Sequence, residues 1–274
     1  MPRVSLDTGS LYYERRGSGP PLVFIHGGWQ DSTSWAEQVE RFAEEYTVIT
    51  YDIRGHGETG ATAASEYSIE LFTDDLEALV AALGLERPIL VGISVGGLIA
   101  SSYLGRHPEA VRGAVVAGPF QSMPSVVPFS DLNPLFSPVQ GVKQMAATLG
   151  SAGAFRSMLN AMRAANGGRW LSRDRDVRAE TVTTARAVPE SEYSKIFEAM
   201  YDAEPVDLSG VETPLLVLYG ADETGRIKRQ GRRLADDAHH GRWLELPDAA
   251  HLVNRDNPAA FNEACAEFFG TLGG

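Results

Sequence analysis

The stretch that most restricts how this chain can fold runs from Pro88 to Tyr103, Pro-Ile-Leu-Val-Gly-Ile-Ser-Val-Gly-Gly-Leu-Ile-Ala-Ser-Ser-Tyr. Ile89 to Val91 is a short apolar run, the pattern of a strand buried on both faces. Leu98 to Gly105 reads as a helix, closed by His107-Pro108. Between them, Gly92-Ile-Ser-Val-Gly-Gly97 must turn a strand straight into a helix, which brings backbone against backbone. Side chains at 92, 96 and 97 would collide there, so the turn demands glycine. It lifts the Ser94 hydroxyl clear of the sheet, beside the positive end of the following helix. The G-x-S-x-G spacing alone fits an ordinary loop serine too; the strand-to-helix placement is what favours a reactive one.

The rest of the chain alternates strand and helix patterns around this turn. Leu11 to Arg16 reads as an early strand at a sheet edge, and Leu22 to Ile25 as a buried strand ending in His26-Gly-Gly-Trp29. Ser34 to Glu45 is expected to be a helix with Trp35, Val39 and Phe42 on one face. Thr47 to Tyr51 is the next strand, followed by Asp52-Ile-Arg-Gly-His-Gly57. The helix from Ser68 to Leu83 carries a stripe of Ile69, Phe72, Leu76, Leu79, Val80 and Leu83, with Asp74, Asp75 and Glu77 expected outside. A strand at Gly113 to Ala117 follows the elbow helix. This alternation implies a mostly parallel α/β sheet covered on both faces.

From Gln121 to Asp207 the pattern changes. Pro and Ser dominate Ser122 to Pro138, and amphipathic helical segments continue to Tyr201 with no buried-strand run. The expectation is an all-helical cap at 121–207 set into a core of 1–120 and 208–274. The sheet resumes at Pro214 to Tyr219 and Arg242 to Leu246, with a helix near Lys228 to Ala238 between them. A last helix bears Phe261, Ala264, Cys265 and Phe268.

Composition narrows the classes of function. The formal net charge of −12 over 274 residues disfavours nucleic acid or an anionic membrane as partner. No apolar run is long enough to span a membrane, and the first residues lack an apolar signal core, so a cytoplasmic location is expected. Cys265 is the single cysteine and reads as a packed core thiol. Gly55-His-Gly-Glu-Thr-Gly60 matches a dinucleotide fingerprint, but loop-like residues follow where the phosphate-holding helix must open. No spacing of His, Cys and carboxylates supports a metal site.

A serine hydroxyl attacks only when a base takes its proton, and the base must itself be held. His251, in a loop after the last strand, lies at the same sheet edge as Ser94. His26 and His56 also end strands at that edge, in loops with other apparent roles. The orienting acid should follow Tyr219, where Asp222 and Glu223 compete. Neighbours in an extended loop face opposite ways, so one alone can reach the imidazole. Oxyanion donors are expected from the amide of Val95 and from the loop containing Gly28, with Trp29 lining the pocket or serving structure alone. Met145, Phe155, Met158, Met162 and Trp170 fit a core internal to the cap better than an acyl pocket.

Together, Ile25-His-Gly-Gly28, Asp52-Ile-Arg-Gly-His-Gly57, Gly92-Ile-Ser-Val-Gly-Gly97, the acid loop at Gly220 and Pro247-Asp-Ala-Ala-His251 resemble the α/β-hydrolase superfamily. The resemblance covers nearly the whole chain outside the cap and is closest to capped esterases, lactonases and C–C-bond hydrolases. It implies Ser94 as nucleophile, His251 as base, and Gly28 and Val95 as oxyanion donors, with no cofactor. Counting from Gly220, the family's acid position falls on Glu223, one past Asp222; the glutamate is a departure from the usual aspartate. Serine at 94 sets the chain apart from the branches whose nucleophile is aspartate. The resulting expectation is cleavage of a small ester, lactone or thioester through an acyl-enzyme. The rivals are C–C-bond hydrolysis by the same residues and a ligand-binding homologue without turnover.

Overall fold

The computed structural model describes residues 1–122, 138–166 and 169–273. A hairpin of β1 (Arg3–Leu6) and β2 (Gly9–Arg16) starts an eight-stranded sheet. The strand expected at the edge is therefore second from it: Arg3 to Leu6, too short to show a period, covers its outer side. Next in the chain come β3 (Pro21–Ile25), α1 (Ala36–Phe42), β4 (Thr47–Tyr51), α2 (Ile69–Ala82), β5 (Ile89–Ile93), α3 (Val95–Arg106) and β6 (Gly113–Ala117). The strands lie in the order β1-β2-β4-β3-β5-β6, continued by β7 (Leu215–Gly220) and β8 (Gly241–Leu246). Only the pairings of β2 are antiparallel.

Register shows how the two faces are filled. Phe24 pairs with Val91 and Val91 with Val115, so these three share one face and Val116 points to the other. Phe24 packs on Trp35 and Phe42, whose rings meet Phe261 and Phe269 of the C-terminal helix. Val116 abuts Gly97 of α3, where a Cβ would stand 3.0 Å from its Cγ1. Each strand from β3 to β7 is almost wholly buried, as helices on both faces require.

Two local expectations change. The helix expected from Ser34 opens as a 3-10 turn at Ser32–Trp35, because the Asp31 carboxylate accepts the Thr33 amide and starts the coil earlier. Asp75, expected on the outer face of α2, is buried. Its carboxylate takes Nε and Nη2 of the equally buried Arg54 at 2.7 and 2.5 Å. Helix periodicity marks the apolar stripe but does not reveal a guanidinium delivered from a distant loop.

Between β6 and β7 the described residues form three helices, α4 (Pro138–Asn166), α5 (Arg175–Ala187) and α6 (Glu190–Tyr201). Most of the Pro- and Ser-rich run from Ser122 lies outside the described residues. α4 breaks at Gly150 (φ 68°), and packs against both α5 and α6. After β7 come α7 (Gly225–Asp237), β8, α8 (Val253–Asp256) and α9 (Pro258–Thr271). Cys265 is buried in α9, and burial pushes its thiol well above the usual range. Among the described residues no helix is long and apolar enough to cross a membrane, and no group of three or more His, Cys, Asp or Glu is arranged to hold a metal ion.

Candidate active site

Ser94 stands between β5 and α3 with φ 55° and ψ −116°, a conformation that strains any residue with a side chain by about 1–3 kcal/mol. The surroundings hold it there. A Cβ on Gly92 would lie 2.1 Å from the Gly96 carbonyl oxygen, and one on Gly96 2.1 Å from that of Ile25. The Ser94 amide donates to Ala117 O at 2.9 Å and its carbonyl accepts from Leu98, tying the turn to β6 and to α3. The Val95 amide heads a twelve-residue helix, where the first N–H groups have no partner within the helix.

His251 follows β8 after a turn at Asp248, and three contacts fix it. Its amide donates to Trp170 O at 3.1 Å, and its ring lies parallel to the Trp170 indole with centroids 5.3 Å apart. On another side it rests on Gly118 (φ 53°), where a Cβ would come within 3.0 Å of Cε1. Gly118 is the residue after Ala117, the acceptor of the Ser94 amide, so serine and imidazole share one corner of the sheet.

His251 Nδ1 donates to Glu223 Oε2 at 2.6 Å. The other carboxylate oxygen accepts the Thr224 amide at 2.6 Å, and the Glu223 side chain is fully enclosed. Asp222 points the opposite way. It is 42% exposed and faces Arg173 at 3.4 Å. Of the two neighbours, then, only Glu223 meets the imidazole. Its approach is set by Gly220, whose missing Cβ leaves room for the Ala249 carbonyl, and by the Asp222 amide, which donates to that carbonyl at 2.9 Å.

Gly28 lies against Val95: a Cβ there would meet Val95 Cγ2 at 3.1 Å and Met200 Sδ at 3.3 Å. Gly27 stands beside Ser94 and donates its amide to Gln30 Oε1 at 3.1 Å. Trp29 takes φ 58° and is buried between the rings of Tyr193 and Phe155. Phe155 thus packs on Trp29 and Trp170 on His251, contacts that helical spacing alone does not show.

Two buried histidines set this loop, and sequence reasoning left their work unspecified. His56 Nε2 accepts the Trp29 amide at 2.9 Å, and His26 Nε2 accepts the Ile53 amide at 3.0 Å. A backbone N–H can only donate, so each Nε2 is bare and each Nδ1 carries the proton. Those protons go to Arg54 O at 3.1 Å and Gly27 O at 2.7 Å. Burial pushes His26 down to about 4, and burial together with the nearby His26 pushes His56 down to about 3. Both are therefore neutral at physiological pH. The one available signal was position: each histidine follows a strand that ends at the serine's edge.

Asp256 is a second residue that pattern reading missed. Its carboxylate accepts from Ser172 Oγ, from the Arg173 amide and from the Ala250 amide at 2.5–3.1 Å. It therefore ties the segment after Trp170 to the residue before His251. No local signal distinguishes it from a solvated helix-end aspartate.

Among the described residues the Ser94 hydroxyl makes no hydrogen bond. Serine–histidine contacts in ligand-free sites are commonly long and tighten when substrate binds. A partly exposed hydroxyl and an imidazole held by a carboxylate at one corner have the chemistry for nucleophilic attack on a carbonyl.

A family model described as the alpha/beta hydrolase fold matches residues 20–258. A hydrolase of (E)-2-((N-methylformamido)methylene)succinate from Acinetobacter baylyi is 26% identical over 265 residues, 93% of this chain and 92% of its own. The crystal structure of the enol-lactonase from Burkholderia xenovorans LB400 is similar with a TM-score of 0.76 and 25% identity, covering 98% of this chain and 100% of that one. A thermophilic esterase from Thermogutta terrifontis shares the fold with a TM-score of 0.81 at 23% identity, over 99% of both chains.

Proposed function

Because the chain belongs to the α/β-hydrolase fold family, we propose that it is a serine hydrolase cleaving a carboxylic ester, lactone or thioester through an acyl-enzyme on Ser94. The observation that carries this reading is the strained Ser94 turn at the corner where His251 is held by Glu223. A relative named as an enol-lactonase, at 25% identity across the whole chain, supports acyl transfer as the reaction class.

In the proposed mechanism His251 Nε2 takes the Ser94 proton as the oxygen attacks the substrate carbonyl. Glu223 fixes the tautomer that leaves Nε2 free and stabilises the imidazolium that forms. Negative charge develops on the carbonyl oxygen, and the amides of Val95 and Gly28 receive it; removing such a donor typically lowers the rate by about 10²–10³. The tetrahedral intermediate collapses, the imidazolium protonates the leaving alcohol or thiol, and Ser94 keeps the acyl group. Water, deprotonated by His251, then attacks the acyl carbonyl and releases the acid with Ser94 restored. On this reading residues 121–207 form the cap over a core of 1–120 and 208–274, and Trp29 contributes to the pocket wall.

Intact mass after treatment with an aryl sulfonyl fluoride should show one adduct, mapped to Ser94, with loss of p-nitrophenyl ester hydrolysis. Absence of the adduct, or its persistence in Ser94→Ala, would falsify the assignment.

A further inference from the structure

α5 separates two clefts of opposite character. One, of about 640 Å³, lies between α5 and the loop after β3, and its lining includes Asp31, Glu37, Asp176 and Glu180, the last paired with Arg255 at 2.5 Å. The other, of about 370 Å³, lies between α4 and α5 and is rimmed by Arg156, Arg163, Arg175 and Arg178. Helical spacing makes the division. Asp176 and Glu180 are four residues apart and share one side of α5, whereas Arg175, Arg178 and Val182 share another.

Four guanidinium groups around one cleft repel one another. In a chain of net charge −12, carboxylates are plentiful enough to pair with them. Among the described residues none does: no Asp or Glu lines this cleft, and none makes an ion pair with any of the four arginines. Arg178 donates to Ser172 O at 2.5 Å, a neutral acceptor. The floor is apolar, with Leu159, Val182 and Trp170. The Trp170 indole N–H is buried with no partner among the described residues.

We propose that the α4–α5 cleft binds small organic carboxylates, the arginine rim taking the carboxylate and Trp170 with its aliphatic neighbours taking the hydrocarbon body. A guanidinium presents paired donors that match the two oxygens of a carboxylate. The apolar floor selects an organic anion over an inorganic one, and the volume suits a small ligand. Neither Ser94 nor His251 lines this cleft, so it is distinct from the acyl-transfer corner. Trp170 joins the two, since its indole also stacks on the His251 ring.

Calorimetric titration with phenylacetate tests the site without reference to turnover. The double variant Arg163→Glu/Arg175→Glu should bind at least about tenfold more weakly than the wild-type protein with no change in melting temperature. Phenylacetamide, which has the same body and no charge, should bind the wild type as weakly. Equal phenylacetate affinity in wild type and variant, equal affinity of the acid and the amide, or no saturable binding would each overturn the proposal. Kinetics then separate the two sources of carboxylate. If the cleft receives a substrate's own distal carboxylate, the double variant raises KM about tenfold for a p-nitrophenyl ester bearing one and leaves the neutral ester unchanged. If it receives a separate acid, both esters keep their KM in the variant and added phenylacetate changes the wild-type rate alone. Either pattern supports the site.

Discussion

Asp222 and Glu223 are neighbours with the same formal charge, yet one lies in solvent beside Arg173 and the other is enclosed against His251. The difference is one of direction, imposed by alternation along the loop. Glu223→Gln leaves the shape intact but allows the wrong histidine tautomer, so kcat should fall about 10²–10⁴-fold. Asp222→Asn should change it less than threefold, roughly the scatter expected of an exposed ion pair. Steady-state kinetics on one ester with both variants checks the ranking, and the reverse order would mean the imidazole is held by the other acid.

At the scale of elements, the segment leading from α4 into α5 is held where it crosses the histidine loop. Residues 170 and 171 accept the amides of 251 and 252, and Asp256 gathers the next two residues onto the same loop. Asp256→Ala removes a charged acceptor from three donors, an effect of about 1.5–3 kcal/mol for a hydrogen bond of this kind. The expected outcome is faster amide exchange at 170–173 and 250–252, unchanged exchange in β5 and α3, and a lower kcat/KM. Uniform loss of protection across the sheet would show instead that Asp256 supports the whole fold. The helices between β6 and β7 also dock through α6, where Glu192 accepts from Tyr67 and Lys195 reaches Ala64 O at 2.8 Å.

For the whole molecule, the two neutral buried histidines predict an acid limit to stability. Their pKa in the unfolded chain is 6.5, and in the fold about 4 for His26 and about 3 for His56. Between pH 6.5 and those values the unfolded chain binds more protons, so unfolding becomes easier as pH falls; above 6.5 the two contribute no slope. Melting curves from pH 7.5 to 4 should show this. His56→Gln removes one such site, so its melting temperature, lower than wild type at neutral pH, should approach the wild-type value as pH drops. A constant gap between the two proteins would rule out His56 as a source of the acid sensitivity.

How much of this was legible beforehand depends on how far apart the causes lie along the chain. The parallel sheet, the Ser94 turn and α2 come from residues within a few positions of one another, acting through glycine sterics and periodicity. A linear string carries that information, and the expected elements and the structure agree to within a few residues there. The place of His251 at the serine's sheet edge was also legible, because loops after parallel strands gather at one edge. What only the tertiary structure decided involves partners far away in sequence. These are the glutamate at 223 over its neighbour, the Arg54–Asp75 pair inside α2's supposedly wet face, the histidine clamp on Trp29, and the arginines gathered around the α4–α5 cleft. Each depends on the direction a side chain takes once distant segments have packed, and neither local sterics nor periodicity encodes that direction.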